Sequence, residues 1–188
     1  MPILFPINIK KWIEENRHLL KPPVNNKVVY KDTEFIIMVV GGPNSRKDYH
    51  YNESEEFFFQ LEGDIEVGIQ EEGKAVNVPI KQGEIFLLPP CTPHSPRRGK
   101  NTVGLVIERT RRKGEKDGLL WFCEKCNYKL YEDYFPLTNI MTQFQEVFEK
   151  FYSSKDLCTC KKCGHIMDPP GETHNTKDTI NLLIHVRG

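Results

Sequence analysis

Between residues 27 and 108 the apolar runs are all of strand length, and turn residues punctuate them. The runs are Lys27–Tyr30, Phe35–Val40, Glu56–Leu61, Ile65–Gln70, Val76–Ile80, Ile85–Leu88 and Val103–Glu108. Between them lie Gly41-Gly42-Pro43-Asn44, Glu62-Gly63-Asp64, Glu71-Glu72-Gly73 and Lys81-Gln82-Gly83, residue types that supply tight turns and positive φ. Seven short strands with close spacing, and no helical pattern between them to serve as a crossover, predict an all-β-dominated antiparallel barrel or sandwich.

The flanks differ. Asn8 can cap a helix over Ile9–Leu20, with Ile9, Trp12, Ile13, Leu19 and Leu20 on one face, and Pro22-Pro23 ends it. After Gly118 a cysteine pair is followed by a helical pattern over Thr138–Tyr152, with Ile140, Phe144, Val147, Phe148 and Phe151 in register, and then a second cysteine pair. Beyond Asp168 the chain is polar and carries Pro169-Pro170-Gly171. A loose tail is expected there, with a short strand over Ile180–Val186. The expected organisation is a barrel with an N-terminal helix over 1–118, a lobe with one helix over 119–168, and a tail over 169–188.

Charge narrows the function classes. Lys plus Arg (26) equals Asp plus Glu (26), so no basic excess favours nucleic acid, and the short Arg109–Lys116 stretch is read as a solvated turn. Apolar runs are too short to span a bilayer, and Met1–Ile9 lacks a signal-peptide pattern. A soluble cytoplasmic protein with no membrane or nucleic-acid partner is expected. Six cysteines, four of them in the pairs Cys123/Cys126 and Cys160/Cys163, suit a reducing compartment and metal binding better than disulfides.

Two segments carry the chemistry. Asp48-Tyr49-His50-Tyr51-Asn52 leads to Glu56 and then Gly63, and Gly83 leads through Pro89 to His94. Together they resemble the two cupin motifs, which implies a jelly-roll barrel. His50 takes the first histidine position, Glu56 the glutamate, Gly63 the closing glycine and His94 the second-motif histidine. Asn52 stands where many cupins place another histidine, Arg98 stands at the terminal asparagine position, and Asn44 and Cys91 replace motif glycines. The remaining set, His50, Glu56 and His94, can occupy one face of an octahedral metal. The positions left open suit Fe(II) that takes both substrate and O2.

The two Cys-x-x-Cys pairs, with Gly164 directly after the last cysteine, form a knuckle pattern that suits tetrahedral Zn(II) or Fe. One pair alone could be a redox dithiol; two pairs in a short chain favour one shared, structural metal. Cys158 is a surplus neighbour, and Cys91 lies close to His94.

A cupin followed by a four-cysteine knuckle resembles the 3-hydroxyanthranilate 3,4-dioxygenase family, in its small bacterial and fungal form with a second metal. The resemblance runs from about Pro6 to Gly164. Its matches are Lys21-Pro22-Pro23-Val24-Asn25-Asn26, Met38-Val39-Val40-Gly41-Gly42-Pro43-Asn44 followed by Arg46, Asp48-Tyr49-His50 and Leu87-Leu88-Pro89. Pro93-His94-Ser95-Pro96, Val106-Ile107-Glu108-Arg109 and Trp121-Phe122-Cys123 complete them.

The resemblance implies Fe(II) on His50, Glu56 and His94, Arg46 beside the O2 site, and Arg98 with Glu108 holding the substrate. It places the second metal, Fe or Zn, on Cys123, Cys126, Cys160 and Cys163, and has Asn26, Phe58, Pro96 and Ile140 line the pocket. Arg97 competes with Arg98 for the substrate role. The implied reaction converts 3-hydroxyanthranilate and O2 to 2-amino-3-carboxymuconate semialdehyde, on the kynurenine route to quinolinate and NAD.

The chemistry is coherent. A guanidinium can grip the substrate's carboxylate through two parallel hydrogen bonds, and Glu108 can orient the phenol or amine and accept a proton. The rivals are a cupin metalloenzyme of another class, an isomerase or another small-acid dioxygenase, and a non-catalytic binding module using the knuckle. An exposed barrel edge makes a homodimer reasonable.

Overall fold

The computed structural model describes residues 3–22, 25–30, 32–138 and 140–170, with side chains in the last stretch from 143 onward. All seven expected runs are strands with small shifts at their ends: β1 (Asn26–Val28), β2 (Phe35–Gly41), β4 (Glu56–Glu62), β5 (Ile65–Glu71), β6 (Lys74–Ile80), β7 (Ile85–Leu88) and β9 (Val103–Arg109). Four further strands were not expected: β3 (Asp48–Tyr51), β8 (His94–Arg98), β10 (Asp117–Phe122) and β11 (Lys129–Phe135). β3 and β8 escape a hydrophobic reading because polar and charged residues occupy their inward positions. β8 also carries Pro96, which departs from ordinary strand composition.

The strands pair antiparallel in two sheets, ordered β1-β2-β9-β4-β7 and β11-β10-β3-β8-β5-β6. Later strands insert between earlier ones, β9 between β2 and β4 and β8 between β3 and β5, which makes a jelly-roll. The sheets face each other. Phe58, Leu88 and Val106 from the first pack with Ile65, Val67, Ile69 and Ile80 from the second in one buried cluster. Each such side chain contributes roughly 1.5–3 kcal/mol on burial.

Helix α1 (Ile9–Asn16) begins where Asn8 Oδ1 accepts the Lys11 N–H at 3.1 Å. It ends four residues before the expected Leu20, and a 3-10 turn over Arg17–Leu19 follows. At that end the Asn16 side chain turns back on the last turn, its Nδ2 donating to the Trp12 carbonyl at 2.8 Å. Ile13 and Leu20 still bury against Val39 and Val103 on the outer face of the first sheet.

Helix α2 (Ile140–Tyr152) and the short α3 (Lys155–Cys158) pack on the second sheet. Phe144, Val147, Phe148 and Phe151 form a core with Leu119, Trp121, Cys158 and Met167, and the Trp121 and Phe151 rings stack at 4.4 Å. The expected boundary at 118/119 falls inside β10, which pairs with β3 on one side and β11 on the other. The segment 171–188, with the expected strand over Ile180–Val186, lies outside the described residues. Among the described residues no helix is long and apolar enough to cross a membrane.

Candidate metal centre

Side chains alternate along a strand, so register decides which residues share the barrel interior. His50 is the cross-strand partner of His94, and His94 is also opposite the core residue Ile69, which places both histidines inward. On β4 the core residue Phe58 marks the inward parity, and Glu56 and Gln60 share it. On β9 the core residue Val106 does the same for Gly104 and Glu108.

His50, Glu56 and His94 therefore converge, with one potential ligand atom of each within 4.8 Å of the others. Metal bonds of about 2.0–2.2 Å to imidazole nitrogen and carboxylate oxygen place neighbouring donors about 3 Å apart. His94 Nε2 and Glu56 Oε2 lie 3.0 Å apart, so the donor set fits a metal ion. Burial would raise the Glu56 pKa, but His94 and His50 outweigh it and hold the carboxyl down at about 2. Burial conversely lowers His94, and the facing Glu56 outweighs that and raises it. His94 Nδ1 is 3.0 Å from the Thr92 carbonyl, and Asp117 Oδ1 is 2.8 Å from His50 Nε2. Such outer contacts fix ring orientation and tautomer.

The three residues assigned by resemblance sit around this set. Arg98 is 3% exposed and shares the His94 face of β8, together with Pro96; Arg97 points outward, hydrogen-bonding Asn77 and Tyr49. Arg98 Nη1 donates to Gln60 Oε1 at 3.2 Å, yet no carboxylate among the described residues pairs with it. Burial lowers its pKa to about 10, with Glu56 opposing. Arg46 is half-buried in the loop before β3 and ion-pairs with Asp48. Its pKa is raised because the Asp48 and Glu56 charges outweigh burial. Glu108, 8% exposed, is the direct cross-strand partner of Glu56. Burial raises its pKa, reinforced by Glu56 and opposed by Arg111.

The expected pocket residues divide. Phe58 is buried with its ring 6.4 Å from His94, and Asn26 is buried opposite Val40. Pro96 is half-buried, and its carbonyl accepts from Asn44 Nδ2 at 2.9 Å. Ile140 opens α2, but its side chain lies outside the described residues. Phe144 of α2 was not foreseen as part of this neighbourhood; its ring is 5.7 Å from His50, so the C-terminal helix reaches the site.

Sequence reasoning also missed Asp117 and Arg111. The Arg109–Lys116 stretch is not wholly a solvated turn: the Arg111 side chain is 12% exposed and pairs with both Glu108 and Asp117. Asn52, in the place of a further cupin ligand, donates to Glu108 Oε2 at 3.1 Å. The only sequence signal was an acid, Asp117, directly before an apolar strand.

The four knuckle thiols also converge. Cys123 and Cys163 Sγ are 3.6 Å apart, Cys126 and Cys160 Sγ 3.5 Å, and all four lie within 4.8 Å of one another. Tetrahedral thiolate bonds of about 2.3 Å require sulfurs a little under 4 Å apart. Asn127 and Gly164, each directly after a pair's second cysteine, take positive φ and donate backward to Cys123 O and Cys160 O. These turns aim both pairs at one point. Burial opposes ionisation of Cys160, but backbone N–H groups of Cys163 and Lys162 outweigh it and lower its pKa to about 6.

A two-sheet antiparallel barrel with two imidazoles and a carboxylate on its inward faces defines a cupin with a metal-ligating donor set. The model of the 3-hydroxyanthranilic acid dioxygenase family matches residues 1–152, and the chain belongs to that family. It is 57% identical over 173 residues to a 3-hydroxyanthranilate 3,4-dioxygenase of Xanthomonas euvesicatoria pv. vesicatoria, covering 92% of this chain and 98% of the relative. A Bacillus cereus protein of the same name is 50% identical over 161 residues, covering 85% of this chain and 90% of the relative. Among solved structures, a cupin-2 domain containing protein from Shewanella frigidimarina aligns with TM-score 0.45 and 16% identity, covering 55% of this chain and 94% of that one.

Proposed function

We propose that this protein is a 3-hydroxyanthranilate 3,4-dioxygenase that opens the aromatic ring with O2 to give 2-amino-3-carboxymuconate semialdehyde. Both oxygen atoms enter the product, so no external reductant is needed. The step belongs to the kynurenine route to quinolinate and NAD. The observation that carries the reading is Arg98, a buried cation without an anionic partner among the described residues, on the same strand face as the ligand candidate His94. A small aromatic acid supplies the missing carboxylate, in a contact worth roughly 1.5–3 kcal/mol. The relatives' shared name points to the same substrate, and the isomerase alternative is not favoured.

His50, Glu56 and His94 would hold Fe(II), which when bound supplies the one-electron chemistry that lets a closed-shell ring react with O2. Arg98 fixes the ring by its carboxylate. Glu108, its pKa raised by burial, orients the phenol or amine and takes the phenol proton. Arg46, whose charge interacts with that of Glu56, would stabilise charge developing on O2. Asn26 and Pro96 would line the pocket, and Phe58 and Phe144, with rings beside His94 and His50, would keep water out.

At the knuckle, Cys123, Cys126, Cys160 and Cys163 would hold Fe or Zn in a structural role, in a lobe over 119–168 that shares a sheet with the barrel. Cysteines kept as free thiols suit a cytoplasmic location. A homodimer would use edge strand β7, where Ile85 (64% exposed) and Leu87 (53%) form an apolar surface on a chain with no net charge to repel its copy.

The test is to load the protein with Fe(II) under argon, add 3-hydroxyanthranilate, admit air and follow the absorbance of the semialdehyde. Stoichiometric loss of substrate with O2 uptake is expected. Iron-loaded protein that leaves the substrate intact overturns the reading.

A further inference from the structure

The loop between β9 and β10 turns one arginine inward. Arg111 Nη1 lies 2.9 Å from Glu108 Oε2; on its other side Nε donates to Asp117 Oδ2 at 2.9 Å and Nη2 to Asp117 Oδ1 at 2.6 Å. Asp117, 0% exposed, then meets His50 Nε2 at 2.8 Å. The same Glu108 oxygen accepts from Asn52 Nδ2 at 3.1 Å. One planar guanidinium, with its donors in a rigid fork, thus spans two buried carboxylates that would otherwise repel each other.

The geometry points to Arg111 as a positioning residue that sets the substrate-holding carboxylate of Glu108 and, through Asp117, the orientation of the ligand candidate His50. This inference rests on the proposed reaction for its Glu108 half; the His50 half stands without it. Arg111 pairs with Glu108 and Asp117 and would touch neither substrate nor metal itself. Its effect on each passes through one named carboxylate. Asn52 alone cannot fix Glu108, because a single amide hydrogen bond leaves the carboxylate free to pivot.

Removing the cation outright would strand two buried carboxylates and threaten folding, so Arg111→Lys is the first variant. It keeps the charge but cannot bond both partners in the same planar geometry. It is made alone, with Glu108→Gln, and beside Asp117→Asn. Each protein is loaded with Co(II) under argon for its visible spectrum and Co(II) Kd, and separately with Fe(II) for kinetics.

Arg111→Lys should raise KM for 3-hydroxyanthranilate by about tenfold with a much smaller change in kcat, and shift the Co(II) bands. In the Glu108→Gln background the same substitution should change KM by less than about twofold. Asp117→Asn should shift the Co(II) bands in the same direction and weaken Co(II) binding by about tenfold.

Equal KM penalties in both backgrounds would make Arg111 merely structural and overturn the Glu108 half. A Co(II) spectrum unmoved by both Arg111→Lys and Asp117→Asn overturns the His50 half. A parent protein that binds Co(II) but never consumes 3-hydroxyanthranilate overturns the proposed reaction and the Glu108 half with it; the spectra then still decide the His50 half.

Discussion

Glu56 and Glu108 are direct cross-strand partners on β4 and β9, two buried carboxylates on one inward face. Their surroundings drive them apart. Glu56 faces His94 and His50 and is held ionised at about 2, whereas burial raises Glu108. One carboxylate is thereby suited to a metal ion and the other to exchanging a proton with substrate.

Glu56→Gln and His94→Ala should each remove the barrel metal and leave the knuckle metal in place, halving the metal content of a fully loaded chain. Elemental analysis after dialysis checks this. Retention of both metals and of turnover in His94→Ala would refute the ligand assignment.

Gly104 lies across from Gln60, where an added Cβ would come within 2.7 Å of Gln60 Oε1 and 2.9 Å of Arg98 Nη1. Gly104→Ala should therefore displace the guanidinium and raise KM by about 10-fold or more, with a smaller loss of kcat, consistent with one buried charge-assisted contact. Arg98→Ala should raise it at least as far. Wild-type KM in Gly104→Ala would show that the Arg98 position is not set by this contact.

Asp117 gives a signed pH dependence. Burial pushes its pKa up, but His50 and Arg111 outweigh that and hold it at about 2. A folded-state pKa below the unfolded value of about 3.9 means its stability is present above pH ~4 and is lost as pH falls toward 2. The contribution is about 2 kcal/mol. Denaturant titrations across this range should show a steeper acid loss for the parent than for Asp117→Asn; parallel slopes would contradict the assignment.

Cys123→Ser should lower the metal count and destabilise the C-terminal segment while sparing the barrel metal. A loss of about 3 kcal/mol corresponds to a Tm fall of roughly 6–12 °C in a chain of this size. Calorimetry with metal analysis checks it, and equal Tm values would make the knuckle dispensable.

Much of this was legible in the residues. The strand-length runs and their turns foretold the barrel, because glycine and proline punctuation acts locally. The convergence of His50, Glu56 and His94, and of the four cysteines, was legible because fixed spacing survives any uncertainty about strand ends. β3 and β8 were not, since Asp48, His50, His94 and Arg98 occupy inward positions that apolar residues would otherwise mark. Which of Arg97 and Arg98 turns inward was not legible either, because the parity of β8 decides it and the hydrophobic pattern does not reveal that strand.

Taken alone, the sequence determined the fold class and which side chains could bind metal, since periodicity and spacing are properties of the chain itself. Only the tertiary structure decided which charges meet. His50 and Asp117 are 67 residues apart and lie 2.8 Å from each other. Arg111, in a basic stretch that reads as solvated, is drawn inward because two buried carboxylates need a cation between them.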